Sequence, residues 1–341
     1  MPYLPSDIQD LLNSTISSWK RLKIEDISLP LQEYVAMPRL MKDANTEEGS
    51  GQKCQWAVQT GLGTNYSDTG LYAVESVNTS DVTTTAEIPW KFQYWAWAID
   101  EREMAMNSGE PEKIFDLLKS KKLAEYNAAV QAAENRFWSK PTDTTDNLKW
   151  YGLYMYIVKN ATEGFTGTNP SGFTSGVGLN SSTYTGWTNW SSQYVNVTAA
   201  DFLKRARKAI DNTMFKAPMT TIPSVSDSPR REIYCGYSLK SDLEDMVESR
   251  NENLGKDLTY TNDDLAIRRI PIRWVPQLDS DTAYPFYGVD WGTFKFKFLK
   301  GWNQKESQEK APYQSPVHTF KVHSGMNMVC YNRRRNFVLY K

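Results

Sequence analysis

Histidine and cysteine, the residue types that most often serve as nucleophiles, general bases and soft metal ligands, are scarce in this sequence. The only two histidines, His318 and His323, are five residues apart in a strand-like segment, so we expect them to point to opposite faces. A cysteine–histidine pair with the nearby Cys330 can be imagined, but nothing else in the sequence supports a nucleophile. The three cysteines, Cys54, Cys235 and Cys330, are far apart and form neither a paired metal-ligand motif nor a disulfide framework. These histidines are more typical of surface or interface positions than of a metal site.

Acidic residues could in principle supply the paired carboxyl groups of a glycoside hydrolase, which stand about 5–10 Å apart. The candidates are Glu101 and Glu103, but charges of alternating sign over residues 100–103 are typical of a solvated, salt-bridged face. The sequence contains no motif of a nucleotide-phosphate loop, a zinc protease or a serine hydrolase. Its glycine-containing segments at residues 61–65 and 176–180 lack the strand–turn–helix setting of a dinucleotide site. We therefore expect no enzyme, no metal and no organic cofactor.

Basic residues cluster in two places, one holding Lys204, Arg205 and Arg207 and the other at residues 333–335. Such clusters can contact the phosphate backbone of DNA without sequence preference. They can equally form ion pairs on a helix surface or between subunits, and both alternatives stay open. The whole chain carries 39 basic and 40 acidic residues, a net charge of −1, which argues against a general nucleic-acid-binding protein.

Aromatic residues are abundant, with 12 Trp and 19 Tyr in 341 residues. Among the Asn, Thr and Gly residues of 184–194, Trp187 and Trp190 could stack on sugar rings. This motivates an alternative function as a carbohydrate-binding or adhesin-like module. Aromatic side chains more commonly lie in cores or at interfaces, however, so we also interpret both as inter-subunit contact candidates.

The elements that position these residues are organised around one long helical pattern. Residues 110–141 contain no internal Gly or Pro, with Pro111 at the first turn and Pro141 as the stop. The apolar positions change face near Ser120, so a kink or break there is the alternative to a single helix. The pattern predicts one helix over residues 110–139, roughly 40 Å long at 1.5 Å per residue.

Before this helix come two segments with little core of their own. Residues 1–45 carry a helical stripe followed by an extended run with Pro30 and Pro38, and the members of the stripe are Ile8, Leu11, Leu12, Ile16 and Trp19. We expect this arm to pack on the rest of the protein or on a neighbour. From residue 46 onward, the alternating Cys54, Trp56 and Val58 predict one strand of a long hairpin, and Leu71, Ala73 and Glu75 predict the second.

A two-stranded ribbon alone is marginally stable in water, so this hairpin needs a partner surface. We hypothesise that Trp56, Trp90 and Trp95 fix it on a neighbour or at its own base. Deleting residues 52–80 should then leave a folded protein that does not assemble. The aromatic run at residues 88–99 predicts a strand that enters the core.

After the helix, the sequence predicts a small α/β region and then mostly strands. Thr198 begins a second helix in a capping-box arrangement with Asp201, and residues 238–250 form a third helix. The strand signals lie at residues 231–237, 270–275, 294–298, 317–323, 326–330 and 336–340. The order of elements is typical of the α+β class. Because no catalytic constellation accompanies the arm and the ribbon, we expect a protein that contacts copies of itself.

This order of parts resembles the major capsid protein of tailed double-stranded DNA phages, the Hong Kong 97-like fold. Similar stretches are GFTGTNPSGFTSG at 164–176, the helix DFLKRARKAI, YPFYGVDWGTFKFKFLKG at 284–301 and the ending NRRRNFVLYK. The order of parts covers the whole chain, and the motif-level similarity covers residues 164–341. No charged, heptad-like scaffolding region precedes residue 45, so scaffolding would be a separate protein or already removed.

The resemblance implies the following map of the chain. Residues 1–45 would be the N-terminal arm, 46–92 the extended β-hairpin loop that lies over the neighbouring subunit, 93–197 with 281–341 the peripheral domain, and 198–280 the axial domain. The implied function is an icosahedral shell of pentamers and hexamers around packaged DNA, a virion protein assembled in the host cytoplasm. Implied partners are copies of itself, scaffolding and portal proteins and non-specifically bound DNA, with no membrane; Lys204, Arg205 and Arg207 are the DNA-facing candidates.

Overall fold

The structure of the chain, a computed structural model, describes residues 34–42, 45–61, 65–66, 68–71, 74, 77, 81–106, 111–213, 231–248, 258–261, 264–310 and 317–341. The helical stripe predicted in the arm between residues 8 and 19 lies outside the described residues. So do Ala73 and Glu75, and the distal ends of the second and third predicted helices.

The described part of the chain begins with a short helix and four strands, contains its remaining α-helices in the middle, and ends with eight strands. Its helices are α1 (Ala36–Leu40), α2 (Glu101–Met106), α3 (Pro111–Phe137), α4 (Leu153–Tyr156), α5 (Lys204–Thr213) and α6 (Tyr237–Glu248). Its strands are β1 (Thr46–Gly49), β2 (Lys53–Gln59), β3 (Thr83–Pro89), β4 (Lys91–Asp100), β5 (Gly164–Gly167), β6 (Asn189–Gln193), β7 (Arg231–Cys235), β8 (Leu258–Thr261), β9 (Asp264–Ile267), β10 (Ile270–Trp274), β11 (Phe286–Asp290), β12 (Phe294–Leu299), β13 (Lys305–Lys310), β14 (Val317–Cys330) and β15 (Phe337–Tyr340).

The predicted long helix is α3, a single element of 27 residues without a break at Ser120. It lies against one face of β4, where the Tyr126 ring meets Trp95 at 5.7 Å and Trp97 at 6.3 Å between centroids. Its last turns enter the core, and Phe137 stacks on Trp291 at 5.6 Å. The middle of this helix therefore packs on β4, and its C-terminal end packs in the main core.

The C-terminal half of α3 also holds the start of the described chain. The buried Glu134 carboxylate accepts hydrogen bonds from the backbone N–H groups of Ala36 (3.0 Å) and Met37 (2.8 Å) and from the Trp138 indole N–H (3.0 Å). A carboxylate that receives the unpaired N–H groups of a helix N-terminus satisfies them and stabilises the helix. The chain therefore enters the described fold on the α3 side of β4.

The hairpin ribbon exists, but its second strand is not the predicted one. β2 pairs with β3 in antiparallel register, with Trp56 opposite Ala86, instead of pairing with a strand around Leu71. Leu71 lies in a turn and is 93% exposed. The error arose because β3 has the sequence TTTAEIP, in which only Ala86 and Ile88 carry the apolar alternation. The distal part of the ribbon is the long connection between Gln59 and Thr83.

A five-stranded sheet forms one side of the main core. The long strand β14 pairs with β4 and β13 along its first half and with β12 along its second half, and β1 extends the sheet beyond β12. The sequence predicted two strands at 317–323 and 326–330, which are one continuous strand here. Phe294, Phe296 and Phe298 of β12 are buried on one face, as predicted.

An eight-stranded sheet runs in the order β5-β6-β15-β11-β7-β10-β9-β8 and lies between the main core and a second apolar cluster. The second cluster contains Phe202, Ala206 and Ile210 from the region of α5 and the inward side of α6. Thr198 caps the π-helical turn Ala199–Leu203 that precedes α5, with its hydroxyl accepting from the backbone N–H of Asp201 at 3.4 Å. Tyr237, predicted at the end of a strand, is instead the first residue of α6.

Candidate assembly surfaces

The base of the ribbon is attached firmly to the subunit's own core. Trp56 is buried and meets the Tyr331 ring edge-on at 5.9 Å. Trp90 is also buried, and its indole N–H donates to the Gly51 carbonyl at 2.9 Å. The Asn327 side-chain amide donates to the Pro89 carbonyl at 2.8 Å. The contacts of Trp56 and Trp90 agree with the alternative in which they fix the ribbon at its own base, and their contact with a neighbouring subunit stays a prediction.

A charged cluster lies beneath this base. Glu47 accepts a hydrogen bond from the Tyr331 hydroxyl at 2.9 Å and lies 3.3 Å from the Lys297 ammonium. Burial alone raises the pKa of Glu47, but the Tyr331 hydrogen bond and the Lys297 charge together bring that pKa below its ordinary value. Glu47 is therefore ionised at neutral pH, and the cluster joins β1, β12 and the end of β14 under the ribbon.

The distal connection of the ribbon presents apolar side chains to solvent. Tyr66, Leu71, Val74 and Val77 are between 81% and 96% exposed. Large apolar side chains exposed in one segment are a feature of interaction surfaces. The base of the ribbon thus belongs to the core, whereas the described apolar side chains beyond Gln59 and Thr83 are exposed.

The structure places the other tryptophan candidates inside the subunit. Trp95 packs on Tyr126 of α3, whereas Trp187 and Trp190 are each 6% exposed. Trp190 meets the Phe165 ring at 5.2 Å. Rings buried to this extent offer little surface to a sugar, so no observation on the described residues favours the carbohydrate-binding alternative. A role for Trp95, Trp187 and Trp190 in inter-subunit contact stays a prediction. The sequence could not separate these residues from exposed ones because tryptophan suits both cores and interfaces.

The predicted DNA-facing residues divide between exposed and engaged side chains. Lys204 is exposed on α5. The Arg205 guanidinium contacts Asp201 at 2.6 Å, Glu163 at 2.9 Å and the Ser192 hydroxyl at 3.2 Å. Arg207 is partly buried on the same helix. A role for these residues in DNA contact stays a prediction, and Arg205 is already occupied by ion pairs on the helix surface, the other alternative stated for this cluster.

The second basic cluster is largely internal. Arg333 is 2% exposed, and its guanidinium donates to the carbonyls of Tyr156 (2.6 Å), Trp187 (3.0 Å) and Thr168 (2.8 Å). Burial lowers the pKa of Arg333 to about 10, so the side chain stays cationic at neutral pH. Arg335 forms an ion pair with the fully buried Asp290 at 2.7 Å. Arg333 and Arg335 therefore hold segments of the subunit together, whereas Arg334 is the exposed member of this cluster.

Two of the titratable residues considered for catalysis, His318 and Cys330, have partners within the subunit, and the side chain of Glu103 lies outside the described residues. His318 pairs with Glu101 at 2.7 Å, and Cys330 is fully buried with Thr293 as its neighbour at 3.9 Å. Among the residues that the structure describes, no group of three or more His, Cys, Asp or Glu side chains could hold a metal ion. Within the same residues, no helix combines the length and apolar character required to cross a membrane.

The three cysteines are expected to resist alkylation in the folded protein. All are buried, and burial raises the pKa of both Cys235 and Cys330 to about 12. Because the thiolate is the nucleophile, iodoacetamide at pH 8 should label none of them within minutes, whereas in urea it should label all three; mass spectrometry counts the labels. Rapid native labelling of Cys330 would contradict this and reopen the cysteine–histidine hypothesis.

The raised pKa values of the cysteines also predict that the free energy of unfolding falls as the pH rises from about 9 towards 12. The reason is that the thiols ionise at a lower pH in the unfolded protein than in the folded protein.

Known structures share this fold, although sequence comparisons find no relative. No known protein-family model and no curated protein matches the sequence. The capsid asymmetric unit of cyanophage A-1(L) has a TM-score of 0.59 at 11% identity, over 96% of this chain and 98% of that one. The capsid of the native GTA particle gives 0.57 at 11% identity, over 94% of each chain. The mature capsid of bacteriophage PhiM1 gives 0.51 at 7% identity, over 94% of this chain and 90% of that one. These likenesses confirm the predicted fold class, the α+β Hong Kong 97-like capsid fold.

Proposed function

We propose that this chain is a major capsid protein that assembles into the pentamers and hexamers of an icosahedral shell enclosing double-stranded DNA. The observation that carries the proposal is the ribbon, which is fixed to the core at its base and exposes Tyr66, Leu71, Val74 and Val77 beyond it. A monomer has no use for such a surface, whereas a neighbouring subunit can bury it. The likeness of nearly the whole chain to phage capsid subunits supports the same function.

We also propose a domain organisation of the subunit that suits this function. The arm (residues 1–45) and the ribbon region (46–92) reach towards neighbours, residues 93–197 and 281–341 form the peripheral domain, and 198–280 form the axial domain. The second apolar cluster supports this division in part, because it gathers the buried side chains of α5 and α6, but it also takes Phe286, Phe337 and Leu339 from the residues assigned to the peripheral domain. Scaffolding and portal proteins are further proposed partners, and the virion is the proposed location.

Contact with packaged DNA is proposed for the surface of α5. Lys204 is its exposed member, while Arg205 contributes through a side chain that is already paired with Glu163 and Asp201. We propose that the exposed Lys204 carries most of any non-specific contact made by the cluster of Lys204, Arg205 and Arg207. Neutralising them should alter genome packaging without preventing shell formation.

The proposed function is tested by the solution mass of the protein expressed alone and with candidate scaffolding proteins. We expect pentamers, hexamers or closed particles by light scattering, with rings or shells in negative-stain images of the same samples. A monomer that persists at all concentrations and with every scaffolding protein would contradict the proposal. Full assembly accompanied by unchanged packaging in the neutralised α5 variant would contradict only the DNA contact.

A further inference from the structure

One face of the five-stranded sheet carries an uncovered aromatic surface made of Phe92, Tyr94, Trp302 and His323. Phe92 is 61%, Tyr94 71% and Trp302 41% exposed. The rings touch in sequence: Phe92 meets Trp302 at 6.3 Å, Trp302 meets His323 at 6.1 Å, and His323 meets Tyr94 at 6.1 Å. The surface is continuous across β4, β14 and the turn before β13.

The opposite face of the same strands explains why this aromatic surface is unusual. There, Trp95 and Trp97 of β4 are covered by α3 through Tyr126, and Trp97 also stacks on Phe320 at 5.6 Å. Along β4 the side chains alternate, so Phe92 and Tyr94 point away from that packing. Four adjoining rings left open on a strand face at the edge of a sheet form a patch of the kind that marks an interaction site.

The chemistry of the aromatic surface restricts its occupant. Exposed aromatic rows bind proline-containing extended segments, because the rigid polyproline conformation loses little entropy on binding. The surface also has cationic neighbours. The Lys305 ammonium lies 5.2 Å from the centre of the Trp302 ring, and Lys321 stands opposite Ala96 on the same face. A segment that combines prolines, apolar residues and negative charge fits this surface.

Residues 2–19 of this chain have that composition. They begin with the P-x-x-P sequence Pro2-Tyr3-Leu4-Pro5, continue with the apolar stripe of the arm, and carry Asp7 and Asp10 as their only charged side chains. We propose that residues 2–19 of a second copy of this chain bind the aromatic surface, with the P-x-x-P segment on the rings and the two aspartates near Lys305 and Lys321.

The position of the arm favours a second copy as its source. The described chain begins next to Glu134, on the α3 side of β4, whereas the aromatic surface is on the other side. The arm of the same copy would have to pass around an edge strand to reach it. In the proposed assembly the arm of a second copy would approach this open face from outside the subunit, and an extended chain covers roughly 3.3 Å per residue. This inference rests on the proposed self-assembly and adds to it a binding site and a binding segment.

The test uses the full chain with a photo-reactive p-benzoylphenylalanine in place of Tyr94, and a matched control with the same residue in place of Leu148. Leu148 is 81% exposed and lies outside the aromatic surface. Protein labelled with ¹⁵N is mixed with unlabelled protein before assembly, particles are confirmed by light scattering, and the cross-linked peptides are identified by mass spectrometry after irradiation. We expect mixed-isotope cross-links between position 94 and residues 1–33, and none of these from position 148.

The outcomes separate the two proposals. Particles that form but cross-link position 94 to another segment, to the same copy only, or to nothing overturn this inference and leave the proposed function intact. A protein that never assembles overturns the proposed function, and this inference with it. Arm cross-links from position 148 at equal yield would show non-specific proximity and overturn the site.

A second measurement uses trypsin, which cleaves after Lys20, Arg21 and Lys23 in the arm. In assembled particles of the Tyr94→Ser/Trp302→Ser variant we expect cleavage there to be about tenfold faster than in the unsubstituted protein, because removing aromatic rings from an interface frees the bound segment more often. Leu148→Ser is the control and should leave the rate unchanged. Equal rates in all three proteins would contradict the proposal.

Discussion

Arg333→Ala is expected to lower the free energy of unfolding by about 4 kcal/mol, the largest effect of any single substitution that we predict. The guanidinium is buried and donates to carbonyls from three separate segments, including those of Tyr156, Thr168 and Trp187. It also bonds the Asn189 side chain at 3.1 Å and lies 5.8 Å from the centre of the Trp187 ring. Removing it leaves several buried acceptors unpaired and opens a cavity.

The matched control is the adjacent Arg334. That side chain is exposed, and its guanidinium lies 4.9 Å from the centre of the Phe165 ring. Arg334→Ala should cost less than about 1 kcal/mol, the usual value of an exposed cation–π contact. Arg333→Lys keeps the charge but offers a single ammonium in place of the planar fork, so it should fall between the two. Urea unfolding followed by tryptophan fluorescence measures all three, and equal midpoints for Arg333→Ala and Arg334→Ala would contradict the assigned role.

The sequence predicted those elements whose pattern is local. The long helix is bounded by Pro111 and Pro141, and α3 fills that interval without a break. The alternation in FKFKFL is strong because Phe294, Phe296 and Phe298 all face one core, so β12 was predicted with the correct buried face. In both cases the local periodicity and the tertiary packing require the same residues to be buried.

What the sequence could not predict depends on contacts between distant residues. Nothing near residues 333–335 indicates that Arg333 is surrounded by carbonyls of residues 156–189, so a basic triplet resembled a phosphate-binding surface. Trp187 and Trp190 resembled exposed rings because their neighbours along the chain are polar, yet the fold buries both. The aromatic surface was missed for the converse reason. Phe92 and Tyr94 lie in the most aromatic run of the chain, and periodicity alone does not say which face of an edge strand stays uncovered.

The structure also changes how the ribbon must be tested. Deleting residues 52–80, as the sequence suggested, would remove β2, in which Cys54 and Trp56 are part of the main core. Such a deletion would damage folding as well as assembly, and its failure to form shells would not identify the cause. The boundary between core and exposed surface lies near Gln59 and Thr83, so substitutions beyond it separate assembly from folding.

Leu71→Ser/Val74→Ser/Val77→Ser is therefore expected to give a folded subunit that does not form shells. All three side chains are more than 80% exposed, so their loss should change the free energy of unfolding by less than about 0.5 kcal/mol. If a neighbouring subunit buries them, losing about 1 kcal/mol from each contact raises the protein concentration needed for assembly by roughly a hundredfold. Light scattering across a concentration series measures this threshold, and urea unfolding of the same samples measures stability.

Leu148→Ser is the matched control for this variant, because Leu148 is as exposed as the ribbon side chains and lies outside the ribbon. It should assemble at the original threshold. A triple variant that assembles like the control would mean that the distal ribbon stays in solvent within the particle, and the burial of its apolar side chains could then no longer be the force that joins the subunits. A triple variant that unfolds at a lower urea concentration would instead show that these side chains stabilise the subunit itself. Only loss of assembly with unchanged stability agrees with side chains that a neighbouring subunit buries.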